Sequence, residues 1–293
     1  MAITQSPSTV PRGPVTAKLD FSHPPPPGVV AFNYVGTPPA GEPQRNLIPD
    51  PHLVSISDIR GRESDFTLDH DAFQIIRAVP PSSEETSPTG SNFRDDESIK
   101  THYYPEITRL LLASIPGSTH IHIFDHTIRR ADPSAPRKAV QNVHIDQTGY
   151  SATKRVHRHM GAAAAPSLLR GRYRIVNVWR TLNRDPVETM PLAFASSATL
   201  EDADVVPVEH RYPDGYVGQT AAIAYNPTQR WYYLSGMTGD ERLLLECYDS
   251  EGEKEGSGVA GGRVPHTAFE DPRSRPDAEG RESIEVRALV FGP

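Results

Sequence analysis

Only one place in the 293-residue chain has the form His-x-Asp: His144, Ile145 and Asp146. On a strand, residues two apart project from one face about 6 to 7 Å apart at their backbones, so an imidazole and a carboxylate there can converge on one metal ion. A histidine from a later strand would complete a facial triad and leave one side of an octahedron open for substrate or oxygen. His266, in RVPHTAF, is the best candidate; after the His157/His159 pair the only other histidine is His210, in the loop-like EHRYPDG. Farther on stands RESIEVRALVF, where Arg281, Ser283 and Arg287 share a strand face. A guanidinium fork and a hydroxyl can meet a carboxylate from one direction, as an acidic cosubstrate would require.

Other chemistry-bearing residues carry competing readings. Asn177 and Trp179 in IVNVWR share one strand face, with Arg180 on the other. Pointing inward, the first two would border cosubstrate or substrate; a strand tryptophan is equally a core residue. Tyr103 and Tyr104, with Trp231, Tyr232 and Tyr233, could wall a pocket or pack the core. His120 and His122 share a strand face without a recognisable third ligand, and His157 and His159 lie about 200° apart on a helix, too far around for one ion. Asp125, Arg129 and Arg130 look like an ion-pair group at a strand end. GSGVAG at Gly256–Gly261 matches a dinucleotide fingerprint in form only, because charged DSEGEKE precedes it and RVPH follows, so a turn is expected. The chain has no GxxxxGK[ST] loop, GxSxG elbow or CxxC pair.

The elements that must position these residues are mostly strands. HLVSISDIRG and FTLDHDAFQIIR alternate in short stretches broken at Gly61 and Asp69 to Asp71, as in a hairpin. Acidic residues Asp95 to Glu97 suit a helix N-terminus, Pro105 opens the main part of that helix, and Pro116 with Gly117 ends it. HIHIFDHTIRR is a half-buried strand followed by a Pro-containing loop. AVQNVHIDQT reads as a further strand, SATKRVHRHMGAAAA as a helix started by Ser151 or Thr153, and RYRIVNVWRTL as another strand. From there PLAFASS, QTAAIAYN, RWYYLSG, ERLLLECYD, GRVPHTAF and SIEVRALVF are spaced like consecutive strands of a sandwich or barrel.

Composition agrees. Proline at 29 residues and a hydrophobic content of 37% disfavour a helical bundle. Twelve prolines fall in residues 1–51, so residues 1–50 read as a Pro-rich N-terminal arm, extended and held by docking, ahead of a single domain over 51–293. Thirty basic against 37 acidic residues give a net charge of −7, which argues against a nucleic-acid partner. A lone Cys247 excludes an intrachain disulfide and points to a reducing, cytoplasmic setting. No apolar run is long enough to span a bilayer.

The order His-x-Asp, distant His, then Arg-x-Ser is similar to that of the iron(II)/2-oxoglutarate-dependent oxygenases, whose Arg and Ser bind the far carboxylate of 2-oxoglutarate. A closer resemblance runs from about Asn33 onward. NLIPDPH, ISDIRGRE, FTLDHDAF, YYPE, FDHTIRR, VHIDQT, IVNVWR, YNPTQRWYYLSG, ECYDS, PHTAF and RESIEVRALVF resemble the fungal and bacterial hydroxylase/desaturase family, whose members are described as AsaB-like, gibberellin desaturase-like or CmcJ-like. The resemblance implies a mainly β protein with flanking helices and a double-stranded β-helix (jelly-roll, cupin-like) core. It also implies a mononuclear Fe(II) site using 2-oxoglutarate and O2, and oxidation of a small specialised metabolite. The implied ligands fall on His144, Asp146 and His266, and the cosubstrate arginine on Arg281, with Arg287 the alternative. Two other functions stay open: an iron-dependent oxidative cyclase or oxygenase that uses no 2-oxoglutarate, which succinate formation would separate, and a noncatalytic partner subunit of an active paralogue, which metal content would separate. A homo- or hetero-oligomer is open as well.

Overall fold

The structure, a computed structural model, describes residues 10–132 and 139–292, so the first nine residues and most of the expected Pro-containing loop lie outside it. The chain opens with β1 (Val15–His23), β2 (Ala31–Tyr34) and β3 (Ile48–Asp58), followed by α1 (Leu68–Asp71), β4 (Phe73–Ile76), α2 (Ser83–Thr86) and α3 (Asp96–Ser114). Strands β5 (His120–Arg129) and β6 (His144–Ile145) lead to α4 (Gly149–Leu168) and β7 (Arg172–Thr181). Then come β8 (Leu192–Ala195), β9 (Val205–Arg211), β10 (Val217–Ile223), β11 (Trp231–Tyr233), β12 (Arg242–Asp249), β13 (His266–Ala268) and β14 (Ser283–Gly292). Among the described residues, one sheet has the order β1-β3-β11-β8-β13-β6-β10-β9-β2 and the other β4-β12-β7-β14-β5. Two mainly antiparallel sheets enclosing a shared core form the expected double-stranded β-helix.

Alternation decides what each strand contributes. Along β7 and β14, Val176, Val178, Ile284, Val286, Ala288 and Val290 face α3, whereas Ile175, Leu289 and Phe291 join the core between the sheets. Helix α3 lays Ile99, Tyr103, Ile107 and Leu111 on that outer face. It starts at Asp95, whose side chain accepts from the Ser98 amide, and continues through Pro105. The expected N-terminus at Asp95 to Glu97 is found, but Pro105 does not open the main part of the helix: it lies inside one run, where burial of the apolar stripe outweighs one missing backbone bond. Helix α4 is capped by Thr148, three residues before the expected Ser151, which instead completes the capping box.

The Pro-rich segment is not a separate arm. In β1, Val15, Ala17, Leu19 and Phe21 are buried in the main core, and β1 pairs with β3 over its full length. Pro49 and Pro51 are tolerated because β11 covers only Ile56–Asp58, leaving the other side of that stretch of β3 unpaired.

Strand β5 departs from alternation. Arg287 pairs with Asp125 but Ala288 with Ile123, so Phe124 is bulged. Ile121, Ile123 and Ile128 therefore all pack toward α3. Asp125 and Thr127 turn inward to Arg287.

Candidate metal centre

The imidazoles of His144 and His266 are brought together by direct pairing: β13 lies beside β6 with the two residues opposite each other, and their ring centroids are 4.4 Å apart. Asp146 follows two residues after His144 and turns the same way, with Oδ1 3.3 Å from His144 Nε2. One ligand atom from each of His144, Asp146 and His266 lies within 4.8 Å of the others. This is the only such group of three or more His, Cys, Asp or Glu among the described residues.

The hydrogen bonds leave the right lone pairs free. His144 Nδ1–H donates to the Asn142 carbonyl at 2.8 Å and His266 Nδ1–H to the Val264 carbonyl at 3.2 Å, which directs both Nε2 lone pairs at the shared point. Asp146 Oδ2 accepts from Asn177 Nδ2 at 2.7 Å and from Arg287 Nε at 3.3 Å, so Oδ1 remains. Two neutral imidazole nitrogens and one carboxylate oxygen form the donor set of a 2-His-1-carboxylate iron site, so these residues fit that metal. Charge supports the same assignment. Burial would raise the Asp146 carboxyl, but the His144 hydrogen bond and the Arg287 charge outweigh it and hold it well below the usual carboxylate range. Burial, helped by the His144 charge, lowers the His266 imidazole to about 4, so it is neutral and free to ligate near pH 7. His144 runs the other way: burial lowers it, but the Asp146 hydrogen bond and charge prevail and raise it, so a metal there would have to displace a proton from Nε2.

Ser283 and Arg287 lie on β14 and Arg281 just ahead of its first residue, and the partners of the two arginines differ. Arg287 is bound to Asp146, to Asp125 at 3.0 Å, to Thr127 at 3.0 Å and to Glu285. Arg281 is 6% exposed, donates Nη1–H to the Met190 carbonyl at 2.7 Å, and stacks over Trp179 at 5.7 Å. Its Nε has no hydrogen-bond partner, and no carboxylate of the described residues pairs with it. Burial, with Arg129 adding like charge, depresses this guanidinium to about 10. Met190 adopts φ +49°, a strained left-handed backbone that delivers its carbonyl to Arg281.

Asn177 is fully buried and reaches the candidate ligand Asp146, whereas Trp179 lies beneath Arg281 in the apolar cluster with Phe194. Tyr103 stands on α3 across the five-stranded sheet from these side chains and packs edge-on to Phe93, so it belongs to the outer layer.

His144 and Asp146 open into a chamber of about 620 Å³ whose walls include Asn33, Arg45, Leu47, Arg129, His210 and Thr220. The N-terminal segment thus supplies part of the wall. His210 was missed because YPDG made its surroundings read as loop. It is instead near the end of β9, where Nε2–H donates to Thr220 Oγ1 at 2.8 Å. Arg129 was read as a structural charge, and alternation past an unsuspected bulge hid its inward aim.

A family model described as oxidoreductase/YMDC permease-like domain (YDMC) matches residues 19–291. The hydroxylase/desaturase poxK of Penicillium oxalicum is 38% identical, the match covering 96% of this chain and 92% of that protein. The chain belongs to the hydroxylase/desaturase family. This confirms the resemblance carried by the motifs. Another relative in the family comparison is the Fe(II)/2-oxoglutarate-dependent dioxygenase nvfI of Aspergillus novofumigatus, 31% identical over 88% of this chain and 90% of that protein. Among solved structures, the iron and alpha-ketoglutarate-dependent endoperoxidase NvfI superposes with a TM-score of 0.84 at 28% identity, covering 96% of this chain and 99% of that one. No helix among the described residues of this hydroxylase/desaturase is long and apolar enough to cross a membrane.

Proposed function

We propose that this protein is a mononuclear Fe(II)/2-oxoglutarate-dependent dioxygenase that hydroxylates or desaturates a small specialised metabolite. The observation that carries this reading is the convergence of two hydrogen-bond-oriented Nε2 lone pairs and one free carboxylate oxygen. His144, Asp146 and His266 would hold the iron, and Arg281 with Ser283 would bind the far carboxylate of 2-oxoglutarate. When bound, iron and 2-oxoglutarate supply, with O2, the oxidising power to remove hydrogen from an unactivated carbon.

The chain's own side chains set the conditions for that chemistry. Asn177 and Arg287 pin Asp146 through Oδ2 so that Oδ1 faces the ligand site. Arg281, desolvated and without an acidic partner, offers two-pronged binding to a dicarboxylate. That unsatisfied cation favours a 2-oxoglutarate-dependent enzyme over a cyclase that needs no keto acid, and the intact ligand set favours an enzyme over a noncatalytic subunit. The chamber beside His144 would take the substrate, and its walls would decide which carbon is presented. The single cysteine, Cys247, is buried, which suits a reducing compartment such as the cytoplasm.

Purified protein given Fe(II) and 2-oxoglutarate without oxygen is expected to develop a weak visible charge-transfer band. Absence of the band with both present would overturn the reading.

A further inference from the structure

A second cleft, of about 850 Å³, lies between α4 and the hairpin that joins β9 to β10. Helix α4 lines it with Lys154, Arg155 and Arg158. Among the described residues none of these three pairs with a carboxylate: Lys154 Nζ reaches the Val217 carbonyl at 3.4 Å, Arg155 reaches Gln147 at 3.3 Å, and Arg158 lies over Tyr216. The two carboxylates in the cleft are committed elsewhere, Asp125 to Arg287 and Asp214 to the Tyr216 amide of its own turn. In a chain of net charge −7, this is a local cationic surplus. Its walls are aromatic: Phe124 beneath Arg155, and Tyr216 between Lys154 and Arg158.

The cleft adjoins the substrate chamber. On β5, Asp125 lines the cleft and Arg129 the chamber, with Thr127 between them on the face that contacts Arg287. On the hairpin, His210 lines the chamber and Tyr212, two residues on, lines the cleft. Arg155 contacts Gln147, the neighbour of Asp146.

We propose that this cleft seats an oxyanion carried by the substrate, so that the substrate class is an amphipathic organic acid whose apolar body extends past the metal centre. The proposal rests on the oxygenase reading for its link to catalysis. Guanidinium and ammonium groups supply charge and hydrogen bonds for a carboxylate or phosphate, and the flanking rings pack a flat hydrocarbon.

The test is calorimetric titration of anaerobic protein, saturated with Fe(II) and 2-oxoglutarate, with 2-naphthoate, 2-naphthyl phosphate and neutral 2-naphthamide. An anion is expected to bind about tenfold more tightly than the amide, with affinity falling as salt rises. The stronger anion identifies carboxylate or phosphate as the preferred group. Lys154→Gln combined with Arg158→Gln is expected to remove this preference, whereas Arg158→Lys, which keeps the charge, retains most of it. Equal binding of anions and amide, or a preference untouched by the double substitution, overturns the proposal. The charge-transfer band, recorded in the same samples, separates the two readings: its absence sinks the oxygenase assignment, while the titration still decides the cleft.

Discussion

Two arginines, Arg287 on β14 and Arg281 just ahead of it, occupy opposite electrostatic settings. Arg287 is saturated, with Asp146, Asp125 and Glu285 around it; burial would lower its guanidinium, but these carboxylates raise it well above its ordinary value. Arg281 is as deeply placed, yet has only a backbone carbonyl and an indole face, and its guanidinium is depressed. A cation already neutralised inside the protein organises its neighbours; a desolvated one without a counter-charge is poised for an anion from outside. On this contrast we propose that Arg287 orients Asp146 and that Arg281 takes the cosubstrate.

The largest effect sets the baseline for that contrast. His266→Ala should abolish the charge-transfer band and reduce turnover by about a thousandfold or more, beyond the roughly 10- to 100-fold typical of an outer-shell partner, with circular dichroism unchanged. Arg287→Met comes next. It strands three carboxylates around one vacated position, so denaturant unfolding should show a loss of about 3–5 kcal/mol, and Fe(II) titration an affinity about 10- to 100-fold weaker.

Arg281→Met should do the reverse. The half-saturating 2-oxoglutarate concentration is expected to rise about 10- to 100-fold, as loss of charged hydrogen bonds worth about 1.5–3 kcal/mol implies. Iron affinity should stay constant and stability should change by less than about 1 kcal/mol, because no internal carboxylate loses its partner. A cosubstrate defect in Arg287→Met with none in Arg281→Met would exchange the two roles. The smallest effect sharpens the picture: Ser283→Ala should raise the 2-oxoglutarate requirement about fivefold, as loss of one hydroxyl hydrogen bond worth about 1 kcal/mol implies.

The three proposed ligands were legible because strand geometry alone places His144 and Asp146 on one side, and a short apolar strand is a natural carrier for His266. The direct pairing of His144 with His266 was not legible, since sheet order depends on contacts distant in sequence. Composition misled at the N-terminus: the prolines advertised an arm, while the alternation of Val15, Ala17, Leu19 and Phe21 already described a buried strand. The difference between Arg281 and Arg287 was also beyond reach. Both fit the strand pattern, and only the tertiary positions of Asp125, Asp146 and Glu285 tell them apart.

Phe124 is the one spare residue in the β5 ladder. Deleting it would leave Ile123 and Asp125 as consecutive residues on opposite faces, which is regular alternation, so Asp125 and Thr127 would keep Arg287 and Ile128 would stay against α3. What would vanish is the ring beneath Arg155. Any effort to retailor this enzyme can therefore shorten the strand at that position without turning it over, whereas a residue lost between 125 and 129 would break the pairing with β14.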